Sequence, residues 1–288
     1  MITRISATLA VLIALGGVAT ASGGTGWKHG SITRRAGTIE ATLSYDRMSG
    51  ASGSLPETDY RNVALVLRRD GKTVLHQRLP SPTQGVQTTL GLLLRNVWGS
   101  VEPEALVRTS SCGNRCGEQL AVALVIGSNG RLLLHGFDGG WPGANSAWQG
   151  QRSDGTFYFI SRDQRFFCEF TDCASSTTPI QVFGIDRSGH RFVDVSRTRG
   201  NLVNHDAAGL LAEYQREIRS KQYSTKSRPG YDPMGVLAPW CADEYLLDRA
   251  DVCHDRLGQA LKVGYLQRWT SRTLEAFYKR LVSWGYGR

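Results

Sequence analysis

Short apolar runs, each followed by a turn signal and a second short run, predict β-hairpins in the first two-thirds of the chain. Asp70-Gly71 and Asn129-Gly130 are the strongest of these signals, because type I′ turns need positive φ at both positions. A third run leads to Ser188-Gly189. The flanking runs are apolar, largely β-branched and short enough for strands. They comprise 63–67 with 73–76, 122–126 with 132–135, and 181–185 with 191–194.

The glycines of these three turns lie at positions 71, 130 and 189, so both intervals between them are 59 residues. A fixed period of this kind is typical of repeated supersecondary units that stack to bury a shared core. The alternative is that three common hairpins coincide by chance. On the repeat interpretation, residues 22–203 form a mainly β domain of propeller-like or stacked β-hairpin repeats.

The apolar spacing changes to the helix period in the last third of the chain. Leu210, Tyr214 and Ile218 lie four residues apart and form one apolar helical face. Asn204 or Asp206 is the predicted N-cap, because short polar side chains accept hydrogen bonds from the first free backbone N–H groups of a helix.

Further helices are indicated towards the C-terminus. Pro239 suits the first turn of a helix, where its missing N–H has no cost. A helix from about residue 251 to 263 is expected to end at Gly264, and a last helix ends at Gly285. The sequence therefore predicts a C-terminal α-helical subdomain, residues 204–288, packed on the β-rich domain.

The first 21 residues have the parts of a secretory signal peptide. Arg4 supplies a positive start, Ile5–Val18 an apolar run, and Ala19-Thr20-Ala21 a cleavage site of small residues. The alternative is an uncleaved membrane anchor, for which the apolar run is short. The prediction is an exported protein, periplasmic or secreted, with no integral membrane span in the mature chain.

The six cysteines fall into three local pairs, and exported proteins meet oxidising conditions in which such pairs form disulfides. Six cysteines allow many connectivities, among which the short spacings favour the local one. A zinc site from the first two pairs is the alternative, because Cys-x-x-x-Cys and Cys-x-x-x-x-Cys spacings are permissible for zinc. The predicted disulfides are Cys112–Cys116, Cys168–Cys173 and Cys241–Cys253.

The formal net charge of +9 would draw an exported protein to anionic surfaces. The alternative is that the charge serves solubility alone. Export, together with the lack of a basic-aromatic module, argues against nucleic acid as a partner. The predicted partner is an anionic glycan or envelope component, or another protein. The densest basic stretch, the predicted anionic-ligand patch, comprises Arg216, Arg219, Lys221, Lys226 and Arg228.

The sequence contains no Gly-x-Ser-x-Gly, His-Glu-x-x-His or Gly-x-x-x-x-Gly-Lys motif. The leading hypothesis is therefore non-catalytic binding in the cell envelope or outside the cell, with no cofactor. The alternative is an envelope hydrolase whose carboxylates and histidines come together from distant parts of the chain. Its candidate residues are Glu102, Glu104, Asp154, Asp163, His190 and His205.

Two loops resemble the calcium-binding loop of secreted FG-GAP/VCBS-like repeat proteins, whose pattern is Asp-x-Asp-x-Asp-Gly-x-x-Glu followed by a strand. The first loop, LLLRNVWGSVEPEALV, spans 92–107, and the second, GQRSDGTFYFISRDQR, spans 150–165. The resemblance implies a propeller-like or stacked β-hairpin fold. The matched ligand positions are Asn96, Trp98, Ser100 and Glu104 in the first loop, and Gly150, Arg152, Asp154 and Tyr158 in the second.

Both loops depart from the family pattern in their charged ligands. Calcium takes about 6–8 oxygen ligands, several of them charged, whereas each loop keeps one carboxylate at its matched ligand positions. The second loop also places Arg152 among the ligands, where a cation repels calcium. Both loops are therefore expected to have lost calcium, and the resemblance implies no particular activity.

Overall fold

The computed structural model of the chain describes residues 26–52, 55–80, 86–97, 102–112, 117–126, 128–137, 151–153, 156–186, 191–219 and 232–287. Within these residues, three antiparallel sheets come first and four α-helices follow. The protein is thus mainly β with a C-terminal helical part, as the sequence predicts.

Each sheet is a four-stranded meander, in which strands that follow one another in the sequence pair side by side. The first sheet contains β1 (Lys28–Ala36), β2 (Ile39–Ser52), β3 (Leu55–Arg69) and β4 (Lys72–Arg78). The second sheet contains β5 (Val86–Arg95), β6 (Glu104–Cys112), β7 (Gly117–Ile126) and β8 (Asn129–Phe137). The third sheet contains β9 (Gln151–Ser153), β10 (Thr156–Arg162), β11 (Ile180–Asp186) and β12 (Arg191–Asp194).

The three sheets stack face to face, and the middle one is buried on both faces. Successive strand residues point to opposite faces of a sheet. On β6, Ala105 therefore packs against the first sheet while Leu106 packs against the third. On β10, Phe157 and Phe159 face the second sheet, and Tyr158 faces the helices. The order of layers is first sheet, second sheet, third sheet, helices.

The predicted hairpins correspond to the strand pairs β3–β4, β7–β8 and β11–β12. Asp70 and Gly71 have φ of 49° and 77° and link β3 to β4, which confirms the predicted type I′ turn. The second predicted turn is wrong, because Asn129 and Gly130 belong to β8, where they pair with Ile126 and Val125 of β7. The third predicted turn lies outside the described residues.

Close packing between layers explains why position 130 carries a glycine although it is not in a turn. A Cβ at Gly130 would lie 2.5 Å from the Leu75 Cβ and 2.9 Å from the Val74 carbonyl oxygen, both on β4. Any side chain there would force the first and second sheets apart. Glycines 71 and 130 thus have different structural roles. The repeat period is not confirmed, and the described residues form no closed barrel or propeller.

Four α-helices form the last layer: α1 (Gly200–Arg219), α2 (Met234–Leu246), α3 (Ala250–Lys262) and α4 (Ser271–Ser283). The predicted N-cap of α1 is wrong, because the helix begins at Gly200 and both Asn204 and Asp206 lie inside it. Asp206 accepts a hydrogen bond from Arg162 Nη1 at the end of β10 (2.5 Å). This partly buried polar contact fixes α1 against the third sheet.

The predicted ends of α3 and α4 are confirmed. Gly264 and Gly285 follow these helices with φ of 77° and 91°, a backbone region that favours glycine. The Gly264 N–H donates to the Leu261 carbonyl (3.1 Å), which closes the last turn of α3. Both helices thus end where the sequence supplies a residue without a Cβ.

α2 passes through a proline, which corrects the prediction that a helix starts at Pro239. Proline has no N–H and leaves the carbonyl four residues earlier without its helical donor. That carbonyl belongs to Gly235, and it accepts from the Thr177 N–H (3.0 Å) and hydroxyl (2.7 Å). A Cβ at Gly235 would collide with the Ser175 carbonyl oxygen. The loop before β11 therefore docks on α2 where the proline frees a backbone acceptor.

Two of the three predicted disulfides are present. Cys168–Cys173 closes a short loop with a sequence separation of 5, and Cys241–Cys253 joins α2 to α3 with a separation of 12. Both cysteines of the second bridge are fully buried in the helical layer. Cys116, and with it the predicted Cys112–Cys116 pair, lies outside the described residues.

The C-terminal residues return to the end of β10 and are fixed there by polar contacts. The hydroxyl of the buried Tyr286 donates to Asp163 Oδ2 (2.7 Å). Arg165 Nε donates to the same carboxylate (2.9 Å), and its Nη1 donates to the Trp284 carbonyl (3.0 Å). Arg197 donates to the Tyr286 carbonyl. Burial and the nearby Asp163 raise the pKa of Tyr286 well above its ordinary 10.0, so the hydroxyl remains a donor at neutral pH.

Replacing Tyr286 with phenylalanine should lower the free energy of unfolding by about 1–3 kcal/mol, because the buried Asp163 loses a hydrogen-bond donor while the ring packing is kept. Urea unfolding at pH 7 measures this loss. Tyr45→Phe is the control, since its hydroxyl makes no hydrogen bond within the described part of the chain. Equal losses in the two variants would contradict the role given to the Tyr286 hydroxyl.

Candidate functional site

A cleft of about 370 Å³ lies between the C-terminal halves of α1 and α3. We refer to it as the α1–α3 cleft. The segment just after α3 closes one side of it. The side chains that matter for its chemistry are Tyr214, Gln215, Arg219, Arg256, Gln259 and Tyr265.

The helix period explains why these side chains share one cleft. On α1, Leu210 and Tyr214 lie one turn apart on the buried stripe, and Ile218 continues it to the end of the helix. On α3, Arg256 and Gln259 lie three residues apart and so belong to the same face. The last turns of the two helices therefore line the cleft from opposite sides.

The cleft holds two arginines that meet no carboxylate within the described part of the chain. Arg256 is half-buried. Arg219 is exposed, and its Nε donates to the Gln215 carbonyl (3.2 Å). Guanidinium groups without an internal carboxylate are typical of sites that bind carboxylates or other oxyanions. Four arginines elsewhere around the helical layer are ion-paired, in the pairs Arg162–Asp206, Arg165–Asp163, Arg197–Asp248 and Arg249–Glu244.

Two tyrosines supply the aromatic part of the cleft. Tyr214 is buried, whereas Tyr265 is 37% exposed. Burial raises the pKa of the Tyr214 phenol, and the nearby Arg256 guanidinium acts in the opposite direction. Gln215 and Gln259 add side-chain amides that both donate and accept hydrogen bonds. The cleft therefore combines positive charge, aromatic rings and amides, a set suited to binding a polar anionic ligand.

The cleft coincides in part with the predicted anionic-ligand patch. Arg216 and Arg219 lie in the last turn of α1, and Arg219 lines the cleft. Positive side chains at this end also complement the helix dipole, which gives them a structural role as well. The remaining residues of the patch, Lys221, Lys226 and Arg228, lie outside the described residues.

Sequence reasoning missed the α3 side of the cleft. Arg256 and Gln259 are spaced to share a helical face, which was the available signal. That signal does not show which other helix the face meets. Tyr265 carries no local signal for a site, because it follows the helix-ending Gly264 in a short connection.

The first sheet offers a second basic surface, on which Arg35, Arg61, Arg68 and Arg69 pair with carboxylates of the described residues. Residues 28–78 contain nine Lys and Arg and five Asp and Glu, a net charge of +4. Glu40 accepts from Arg68 (2.8 Å) and also pairs with Arg35. Asp46 pairs with His29 (3.2 Å) and accepts a hydrogen bond from the Asn62 side-chain amide (2.7 Å). The α1–α3 cleft differs from this surface in that its two arginines line one concave site together with aromatic and amide side chains.

The predicted calcium-loop positions have structural roles where the structure describes them. Asn96 follows β5, and the buried Glu104 accepts a hydrogen bond from the Val97 N–H (2.8 Å). Tyr158 is buried, with the Arg199 guanidinium 5.2 Å from its ring centre. No group of three or more His, Cys, Asp or Glu in the described residues is arranged to hold a metal ion. Of the remaining positions, Arg152 is in β9, and Trp98, Ser100, Gly150 and Asp154 lie outside the described residues.

The described candidates for a hydrolase site do not share one cleft. Glu102 is paired with Arg69 of the first sheet (2.8 Å), whereas Asp163 is buried beside the C-terminal residues. His205 is exposed on α1. Glu104 accepts a hydrogen bond from the Val97 N–H in the connection between β5 and β6. Asp154 and His190 lie outside the described residues.

A buried carboxyl group in the helical layer has no counterpart in the sequence predictions. Asp243 of α2 is fully buried, and neither of its oxygens has a hydrogen-bond partner in the described part of the chain. Burial raises the pKa of Asp243 well above its ordinary 3.8, the Asp206 carboxylate adds to the rise, and Arg162 opposes it. With no exposed surface, Asp243 cannot contact a ligand, so its effect is on stability.

No protein family, characterised protein or solved structure matches this chain. Among the described residues, no helix combines the length and apolar character needed to cross a membrane. The geometry and charge of the α1–α3 cleft are therefore the basis on which a function is assigned.

Proposed function

We propose that the protein is an exported, non-catalytic binding protein of the cell envelope or extracellular space, and that its ligand is anionic. The observation that carries this proposal is the pair Arg219 and Arg256, which face one cleft and meet no carboxylate in the described residues. The two disulfides support export, because such bridges persist in oxidising compartments.

The shape of the cleft favours a small anionic group over a flat protein surface. Protein partners cover about 800 Å² on each side of a standard interface, whereas small ligands occupy concave pockets of about 300–1,000 Å³. The cleft, at about 370 Å³, is at the lower end of that range. An anionic glycan or another anionic envelope component is thus the preferred ligand.

The two arginines have different expected roles in binding. Arg219 is exposed, so salt screens its attraction for a ligand and its main effect is on the rate of association. Arg256 is half-buried, where a guanidinium forms stronger charge-assisted hydrogen bonds. Arg256 is therefore expected to contribute more to affinity than Arg219.

Changing Arg256 to glutamine should weaken binding to anionic glycans about tenfold or more, because a hydrogen bond to a charged group contributes about 1.5–3 kcal/mol. Biolayer interferometry against immobilised polyuronate, sulfated and phosphorylated polysaccharides measures this effect. Arg272→Gln, which removes an exposed arginine at the start of α4, is the charge-matched control. Wild-type protein that binds none of these polymers, or equal losses in both variants, would contradict the proposal.

We infer in addition that the β part consists of degenerate FG-GAP/VCBS-like units with a period of about 59 residues, in a propeller-like or stacked arrangement. Three successive four-stranded meanders support this inference. An experimental structure in which the three sheets superpose strand for strand is the expected result. Hairpins β3–β4, β7–β8 and β11–β12 that do not superpose on one another would contradict it.

A further inference from the structure

We propose that the α1–α3 cleft takes a sugar carboxylate, a hexuronic acid residue, in preference to a phosphate ester. This inference rests on the proposed function, and it names the chemical class of the anionic ligand. Three features of the cleft lead to it: the helix ends that face it, the groups that line it and its size.

The helix ends at the cleft disfavour a doubly charged ligand. Phosphate groups bind well at helix N-termini, where free N–H groups and the positive end of the dipole face the anion. The cleft is lined by the opposite ends, since α1 ends at Arg219 and α3 at Lys262. Each C-terminus carries the equivalent of about half a negative charge. The arginines must overcome this field, which opposes a dianion more strongly than a monoanion.

The arginines provide the geometry that a carboxylate needs. A planar guanidinium donates two parallel N–H groups to the two oxygens of one carboxylate. Arg256 is the better placed for this contact, because it is half-buried and near the Tyr214 phenol. A single carboxylate between Arg256 and Arg219 would satisfy both guanidinium groups without adding a second negative charge.

The remaining lining suits the body of a sugar. Gln215 and Gln259 present amides, which bond to hydroxyl groups as donor or acceptor. Tyr265 and Val263 are 37% and 56% exposed at the rim of the cleft. An exposed aromatic ring is a surface on which the C–H face of a sugar ring can pack. The volume of about 370 Å³ fits a ligand of this small size better than a long wrapped polymer.

Isothermal titration with three matched methyl glycosides tests the ligand class: methyl glucuronide, methyl glucoside, and methyl glucoside 6-phosphate. The full-length purified protein should bind the glucuronide about tenfold more tightly than the neutral glucoside, and more tightly than the phosphate. Arg256→Gln should remove the preference for the glucuronide over the glucoside. Tyr265→Ala should weaken binding of the glucuronide about threefold to tenfold, because the aromatic surface on which the sugar ring packs is lost.

The outcomes separate this inference from the proposed function. Tighter binding of the phosphate, lost in Arg256→Gln, would overturn the preference for a uronic acid and leave an anion-binding cleft in place. Equal binding of the glucuronide and the glucoside would also overturn it. Binding of no anionic glycoside or polymer, or anion binding that Arg256→Gln leaves unchanged, would overturn both.

Discussion

Replacing Asp243 with asparagine should increase the free energy of unfolding at neutral pH and remove a large part of its pH dependence. The wild-type carboxyl lies fully buried, with no hydrogen-bond partner for either oxygen in the described residues. Ionising it in that position is costly, because a buried charge loses its hydration. Asparagine keeps the size and shape of the side chain but cannot ionise.

The direction of the pH effect follows from the raised pKa of Asp243. Between the ordinary value of 3.8 and the folded-state pKa, the folded protein holds a proton that the unfolded chain has released. The stabilising effect of that proton is complete below the unfolded-state pKa and is lost as the pH rises through the folded-state pKa. Within this window the wild-type free energy of unfolding falls by up to about 1.4 kcal/mol per pH unit.

Urea unfolding from pH 4 to pH 8, without reductant, measures the difference between Asp243→Asn and the wild type. The charged groups that face Asp243 are Asp206, Arg162 and Glu244. They stay in the variant, so the pH dependence of the difference reports the ionisation of Asp243. We expect the advantage of the variant to grow with pH. Asp255→Asn, at an exposed position of α3, should follow the wild type at every pH. A constant difference across this range would contradict the account.

Removing the Cys241–Cys253 disulfide should lower the free energy of unfolding by about 3 kcal/mol, the chain-entropy value for a loop of this length. The bridge has a sequence separation of 12 and joins two helices at the centre of the helical layer. Both cysteines are fully buried, so alanine at both positions also leaves unfilled space. Urea unfolding of the double variant Cys241→Ala/Cys253→Ala at pH 7 measures the loss.

The shorter bridge supplies the comparison. Cys168–Cys173 has a separation of 5, for which the same model gives about 2 kcal/mol. Cys173 is exposed and Cys168 is half-exposed. Mild reductant should therefore open this bridge first, while Cys241–Cys253 is reduced only when the helical layer unfolds. The double variant Cys168→Ser/Cys173→Ser should lose less stability than Cys241→Ala/Cys253→Ala. A greater loss would contradict the account.

The elements that could be predicted are those with a strong local signal. Asp70-Gly71 specifies its turn because both residues adopt positive φ, and Gly264 marks the end of α3 for the same kind of reason. Asn129-Gly130 carries an equal local signal, yet it forms part of β8. There the contact of β4 with Gly130 decides the outcome, and a local pattern contains no information about a contact between two sheets.

The same limit applies to the helical layer. Pro239 is a good helix starter by itself, but its position inside α2 depends on Thr177, which supplies donors to the carbonyl that the proline leaves free. Asp206 is of a residue type favoured at N-caps, but it lies inside α1, where it pairs with Arg162. Both corrections come from partners more than forty residues away in the chain.

The α1 side of the candidate site could be predicted from the sequence. The basic C-terminal end of α1 is visible as a run of positive residues, of which Arg216 and Arg219 are in the described structure. Arg256 and Tyr265 enter the site only because α3 lies beside α1. The burial of Asp243 could not be predicted either, because the neighbours that surround it, Asp206 and Arg162, belong to α1 and to the third sheet.

An NMR titration of ¹⁵N-labelled protein with an oligouronate tests the central claim most directly, because it maps where the anion binds. The account predicts shift changes confined to the ends of α1 and α3, around residues 214–219 and 256–265, and their loss in Arg256→Gln but not in Arg272→Gln. Shift changes that fall on the first sheet, residues 28–78, would show that the anion binds the other basic surface and would contradict the assignment of the α1–α3 cleft.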